Sequence, residues 1–478
     1  MRKTLFLFLI SLSLNAQNVF LDSLKITSEA GILTATGHTP FLLRSNQYGV
    51  VPLESQIFYL NTRVVKEYTS GRTWDYGFGL EPHVNLGKTS QLLLPEVYVK
   101  GHAGALELYV GRRREVMGLV DTLGSMGSYI WSGNALPVPK MDIGFRHFVP
   151  LLKNGLLSVK GNFAHGWLGN GDSVQNVLLH QKSLYFRLGK PRWKIKVIAG
   201  LNHQAQWGGK PTHPYYDEIS KQVISKYDVS LENYFRVLRG VSTANQTGRT
   251  WDDVTGLPAN EAGNRVGNHL GTIDIGTELQ VGSYLVKIYR QSIYEDGTLF
   301  YLSNIADGLT GLSVSGKNGF NLCLEYMDTR NQGGGIYYEF IPELRGVDNY
   351  FNNGVYKDAW TYRGKTIGNP LLNPYRENPG VFPPGISYTP NYIYNNRIRV
   401  FHTYVQYPVA NLMLSTRVIS SANFGNYKWP LENLRQFSLR QTGRVPLAHF
   451  DLLLSLAADL GQYLPDTYGL QVGIVKQW

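Results

Sequence analysis

Along most of this chain apolar and polar residues alternate one by one, in runs of about ten residues separated by turn-formers. In the stretch from Arg72 to Pro82, Trp74, Tyr76, Phe78 and Leu80 fall on one face, while Thr73, Asp75, Gly77, Gly79 and Glu81 fall on the other. That is the period of a strand whose two faces meet different surroundings. The last eleven residues repeat it: Tyr468, Leu470, Val472, Ile474 and Trp478 share a face broken only by Lys476, opposite Gly469, Gln471, Gly473 and Gln477. With Trp478 last, this strand gains a second neighbour only by pairing with an earlier one, so the sheet is expected to close on itself.

Similar alternation recurs at Gln56–Lys66, Leu92–Lys100, Ala105–Arg112, Met141–Val149, Leu156–Trp167, Gln181–Gly189, Trp193–His203, Gly271–Gln280 and Tyr284–Gln291. It continues at Leu309–Val314, Phe320–Asp328, Arg397–Tyr404, Leu412–Ser420, Arg435–Gln441 and Phe450–Leu460. With Phe41–Val50 as a poorly alternating first strand, the count is about 18. Pro95 weakens its own strand, since proline donates nothing to a ladder. Tight links such as Tyr68–Gly71, Gly101–Gly104 and Val281–Ser283 follow alternate strands, and long ones lie between them, notably 113–140, 204–268 and 329–395. Barrels of bacterial outer membranes put short turns in the periplasm and long loops outside. The fold expected is therefore all-β: a transmembrane antiparallel β-barrel of about 18 strands, of outer-membrane type, with both ends in the periplasm.

Two stretches escape the pattern. Residues 18–39 are weakly patterned and are expected as a short helix or a plug segment in the periplasm. Between Tyr216 and Leu238, Ile219, Val223, Tyr227, Leu231, Tyr234 and Val237 recur at helical spacing, the sign of a small helical segment that packs on the rim or folds inward.

Composition agrees with a barrel: 13% aromatic, 31 Tyr, 51 Gly and only 17% charged, too polar for a bundle of membrane helices. Arg2 and Lys3, the apolar run Leu5–Leu14 and Asn15-Ala16-Gln17 read as a signal peptide over residues 1–16. Residues 17–478 are then one exported domain in the outer membrane, placed there by the barrel-insertion machinery. The single cysteine, Cys323, excludes an internal disulfide. A net charge of +11 points to an acidic partner such as lipopolysaccharide or an acidic polysaccharide rather than nucleic acid.

No stretch carries a catalytic signature, a cofactor motif or a metal motif. His165, His180, His203 and His213 are scattered along the sequence, and a pairing of Ser183 with His180 or His203, as in an outer-membrane hydrolase, rests on residue types alone. More informative are Arg112, Arg113 and Arg114, which leave a strand for the loop containing Trp131 and Asn134. Trp167, His203 and Trp207 follow, and then Trp360, Tyr362 and Arg363. Aromatic faces stack on sugar rings, amides and imidazoles bond to hydroxyls, and guanidinium groups pair with uronate or phosphate. These eleven residues are the candidates for carbohydrate binding. The competing reading makes Trp131, Trp167 and Trp207 an aromatic girdle and gives the arginines to lipopolysaccharide.

At Pro40–Gly49, Trp131–Met141, Asn202–Gly209 and Trp360–Leu371, and in their order along nearly the whole chain, the sequence resembles the Wzi-like capsule assembly family. That resemblance implies an outer-membrane barrel acting without catalysis as a surface lectin, which binds capsular polysaccharide and helps assemble or attach the capsule. A monomer suffices for that role. The alternatives are a substrate-specific porin and, more remotely, the hydrolase.

Overall fold

The computed structural model describes residues 23–478 apart from residue 219 and residues 241–257, 259–260, 262–264, 296–301, 336–345 and 383–388. The expected export signal, residues 1–16, lies outside the described residues.

Eighteen strands form the wall. The first nine are β1 (Leu24–Ala35), β2 (Ile57–Lys66), β3 (Trp74–Gly87), β4 (Gln91–Ala103), β5 (Leu106–Arg112), β6 (Lys140–Phe145, continued by Val149–Pro150), β7 (Leu157–Gly169), β8 (Val177–Leu188) and β9 (Ile195–Trp207). The other nine are β10 (Asn268–Val281), β11 (Tyr284–Tyr294), β12 (Gly308–Ser315), β13 (Asn321–Asp328), β14 (Ile398–Val409), β15 (Leu412–Gly425), β16 (Pro430–Pro446), β17 (Asp451–Gly461) and β18 (Thr467–Gln477). Each pairs antiparallel with the next, and β1 pairs with both β2 and β18, which closes the barrel. Each strand of this wall has a neighbour on both sides, the condition for a sheet that stands in lipid.

The two faces sort as the alternation demands. On β3, Trp74, Tyr76, Leu80 and Leu86 are exposed on the outer wall, while Glu81, His83 and Asn85 are buried inside. Tyr468, Ile474 and Trp478 likewise stand exposed on or beside β18. Inward glycines make room for inward tyrosines: a Cβ on Gly79 would meet the ring of Tyr98 at 2.3 Å, and one on Gly311 the ring of Tyr289 at 2.2 Å. Pro95 sits where the β3–β4 register shifts between Glu81 and His83, a bulge that spares it a ladder bond.

Two expectations are corrected. Residues 24–35 form β1 rather than a periplasmic helix or plug; its outward row of Ile26, Ser28, Ala30, Ile32 and Thr34 mixes hydroxyls and a methyl with two isoleucines, so hydrophobicity hardly alternates. Phe41–Arg44 is not a strand but a one-turn helix, α1, with all four residues buried. A segment that is wrapped on every side has no polar face to alternate with.

The lumen is filled. Residues 36–56, 113–139 and the described parts of 329–397 enter it from the end that carries the long connections, and Phe41, Met126, Tyr129, Trp131, Tyr350 and Trp360 join one buried apolar cluster with inward wall residues such as Leu179, Tyr289 and Met327. The wall supplies the hydrogen bonds that buried loop backbone requires. Leu119 N donates to Asp274 at 2.7 Å, Met126 N to Glu325 at 2.6 Å and Tyr129 N to Gln291 at 3.0 Å. Arg417 donates to the Ser125 carbonyl at 2.7 Å.

The helix expected over 216–238 is shorter than its sequence pattern. Tyr215–Asp217 and Gln222–Ile224 form a small hairpin, and only α2, Leu231–Arg239, is helical, capped by Ser230 and ended by Gly240 at φ 61°. Ile219 lies outside the described residues. Among the described residues no helix is long and apolar enough to cross a membrane.

Candidate functional site

At the long-loop end, Thr361–Tyr362 and Lys365–Thr366 pair as a hairpin whose tip is Arg363-Gly364. Both tip residues are left-handed, φ 52° and 80°, the turn that matches the twist of the flanking strands. A side chain on Gly364 would strike Arg376 at 2.7 Å. The tip therefore presents Arg363 to solvent while Tyr362 stays beneath it. Arg112, at the end of β5, reaches the same place and donates to the Tyr362 hydroxyl at 2.9 Å. The two guanidinium groups stand 5.9 and 6.0 Å from the Tyr362 ring.

These groups line an open cavity of about 630 Å³, together with Lys365, Arg376, Glu377 and Glu54. Its charges are unequally matched. Lys365 is 2.6 Å and Arg44 3.5 Å from Glu377, and Arg376 is 2.6 Å from Asp172. Among the described residues no carboxylate pairs with Arg112 or Arg363. Burial pushes the Lys365 ammonium below the ordinary lysine range, with Glu377 opposing and Arg44 adding to the shift.

Arg363 and Arg376 also line a neighbouring cavity of about 180 Å³ with Gln206, Asp358 and Asn391. Asp358 accepts from Ser173 Oγ at 2.6 Å, Ser173 N at 2.8 Å and Asn391 Nδ2 at 2.7 Å. Burial alone would raise its carboxyl, yet these bonds and that from Asp172 N hold it below the usual carboxylate range. Asp358 thus ties the link between β7 and β8 to the hairpin and fixes the wall of the groove.

The other sequence candidates go elsewhere. Arg113 binds Glu107 at 2.6 Å inside the lumen, and Arg114 pairs with buried Glu81 there. Trp131, Asn134 and Trp360 are buried in the plug; Asn134 Nδ2 donates to the Thr366 carbonyl at 3.2 Å, which supports the hairpin from below. Trp167, His203 and Trp207 point out of the barrel. The structure therefore brings together Arg112, Tyr362 and Arg363, with Lys365 beside them, and adds Arg376. Arg363 and Gly364 carried a local signal for Arg363 and Lys365, a two-residue turn ending in glycine, whereas Arg376 carried none.

Ser183 faces inward and bonds to Asn162, while His180 and His203 are on the outer wall, so no Ser–His pair forms. The four outer-wall histidines His165, His180, His203 and His269, distant in sequence, are neighbours: His203 Nε2 and His269 Nδ1 are 2.8 Å apart. In the lumen, one ligand-type atom each from Cys323, Glu325 and His402 lies within 4.8 Å of the others. The Glu325 oxygens already accept from Tyr289 at 2.7 Å, Ser125 at 2.7 Å and Met126 N at 2.6 Å, and the Arg417 guanidinium is 3.5 Å from His402 Nε2. That saturated carboxylate is an anchor for the plug.

A closed, apolar-belted barrel of eighteen antiparallel strands is the fold of outer-membrane barrels. No family model matches the chain, and no curated protein matches its sequence. Its structure is similar to that of Wzi from Escherichia coli, an outer-membrane protein involved in group 1 capsule assembly and described as a carbohydrate-binding β-barrel. The match covers 96% of this chain and 86% of that one, with a TM-score of 0.58 and 16% identity. It bears out, for the fold, the resemblance seen in the sequence. Looser matches include OccD3 (OpdP) of Pseudomonas aeruginosa (TM-score 0.42, 10% identity, 95% of this chain and 91% of that one) and OccAB2 of Acinetobacter baumannii (0.45, 10%, 95% and 97%). Neither of these two is close enough to bear on fold or function.

Proposed function

We propose that the protein, exported by removal of residues 1–16, is an outer-membrane surface lectin that holds an acidic capsular polysaccharide at the cell surface without catalysis. The observation that carries the reading is a pair of arginines, Arg112 and Arg363, that have no carboxylate partner among the described residues and flank Tyr362 at the long-loop mouth of the barrel. A guanidinium group in this position binds a uronate or phosphate through paired charge-assisted hydrogen bonds. Wzi, described as carbohydrate-binding, supports the same reading through its fold. Each sugar contact need contribute only ~1 kcal/mol, because a polymer that repeats its epitope gains effective concentration from every neighbouring unit.

A substrate-specific porin needs an open lumen, and the packing of residues 36–56, 113–139 and the described parts of 329–397 argues against it. The test is to measure polysaccharide bound to cells and shed into the medium, with and without the gene. Transfer from cells to medium at unchanged total supports the lectin. Unchanged amounts, with a fall in small-solute uptake, would replace it by the channel.

A further inference from the structure

Many outward-facing residues of the wall are large and apolar. On β7 to β10 the outward row turns polar towards the rim: Lys182 and His180 on β8, His203 on β9, His165 on β7 and His269 on β10. Their outward direction is fixed by their neighbours, since Gln204 donates to the Ile130 carbonyl inside the lumen at 3.1 Å and Gln206 to that of Ala359 at 2.9 Å. Just below, Leu184, Phe186, Leu201 and Ile273 are exposed as ordinary belt residues. A lysine facing hydrocarbon is costly at the midplane and less so near the interface.

Helix α2 covers this patch from outside. Tyr234 packs on Trp207 with ring centroids 5.2 Å apart and on His165 at 6.0 Å, and Val237 joins Ala205, Trp207 and Val266 in a small buried cluster. Lys182 Nζ donates to the Leu238 carbonyl at the helix C-terminus, and Arg265 Nε donates to that of Gly240 at 2.7 Å. The barrel thus supplies the cations that the last carbonyls of a helix favour. Having covered the polar wall with one face, α2 exposes Leu231 (77%) and Phe235 (56%), with Val229 just before the helix at 54%, alongside Glu232, which pairs with Arg236 at 2.6 Å. Arg239, beside them at the C-terminal end, has no carboxylate partner among the described residues.

We infer that α2 is an interfacial lipid-binding helix on the outside of the barrel, seating Leu231 and Phe235 among the acyl chains of the outer leaflet and Arg239 at a lipid phosphate. The occupant is lipid because these apolar residues continue the lipid-facing belt of Leu184, Leu201 and Ile273, and because a helix with one face on protein and apolar residues on the other lies stably at such a boundary. The inference rests on the membrane-inserted barrel and is independent of the glycan site.

Its test is spin-label accessibility on the full-length protein folded into vesicles containing lipopolysaccharide. In a Cys323→Ser background, single labels are placed by Leu231→Cys and Phe235→Cys, with Leu201→Cys as the belt reference and Ser90→Cys, in the exposed β3–β4 turn, as the aqueous reference. Heat-modifiable gel mobility confirms folding of each variant. Labels at 231 and 235 are expected to collide with oxygen several-fold more, relative to a water-soluble nickel chelate, than the label at 90, and to approach the ratio at 201. A ratio like that at position 90 overturns the proposal in favour of a water-exposed face. Low accessibility to both reagents overturns it in favour of a protein contact. If position 201 also reads as aqueous, the barrel itself is not inserted, which is a separate failure. As a second measurement, the Leu231→Asp/Phe235→Asp variant is expected to lose heat resistance in lipopolysaccharide vesicles but not in neutral detergent; equal behaviour in both contradicts lipid seating.

Discussion

Arg112 and Arg114 are two residues apart and meet opposite fates. Arg114 turns into the lumen, pairs with Glu81, a residue with 0% exposure, and stands 4.7 Å from the Tyr48 ring of the plug. Arg112 stops at the outer mouth with a phenol hydroxyl for its partner. The interior pairs Arg113 and Arg114 with carboxylates because an uncompensated charge there is costly, and such pairs double as anchors for the loops inside the barrel. The mouth leaves positive charge unmatched where water screens it, which keeps it available to a ligand. Partnering, rather than residue type, separates the structural arginines from the candidates for binding.

The largest expected effect comes from breaking the interior pair. Arg114→Ala leaves Glu81 buried without its cation and should lower stability by about 3 kcal/mol, read as a shift in the urea midpoint of the heat-modifiable band. A shift no larger than that of Arg112→Ala would remove the distinction between the two arginines. Next is Glu325→Gln, which weakens the anchor shared by Ser125, Met126 and Tyr289. Charge-assisted bonds of this kind contribute about 1.5–3 kcal/mol each, so planar-bilayer recordings should show ion current or frequent openings where the parent protein is silent. Continued silence would mean that apolar packing alone keeps the plug closed.

At the mouth, the Arg112→Ala/Arg363→Ala variant should fold with parental stability and bind an acidic polysaccharide about tenfold more weakly, the equivalent of ~1.4 kcal/mol. Binding to a neutral glycan should hardly change; equal loss for both would point to shape rather than charge. Each single substitution should cost roughly threefold, and even that difference should shrink in ~1 M salt, where the Debye length is about 3 Å. A single substitution that abolishes binding would indicate one tight pocket in place of a repeated shallow contact.

Some of this was legible in the residues. The period-two rows of β3 and β18 name the outward-facing side chains directly, and the alternation of tight and long links tells the two ends of the barrel apart. Arg112, Tyr362 and Arg363 could be chosen by type, but nothing local distinguishes Arg112 from Arg113 and Arg114. Trp131 and Trp360 look like sugar platforms and serve as core. Both join a cluster with wall residues remote in sequence, such as Leu179, Tyr289 and Met327, so only the folded chain shows them buried.

By itself the sequence determined the strands, their two faces and the closed wall, because lipid on one side and a crowded polar interior on the other impose a simple repeat on every crossing. It determined β1 and α1 poorly, since small or uniformly buried residues erase that repeat. Tertiary structure alone decided that the lumen is filled, that Arg376 joins Arg112 and Arg363, and that α2 lies against the outside of the wall over histidines from four strands. Those outcomes depend on which distant segments meet, and side-chain chemistry along the chain does not encode a meeting place.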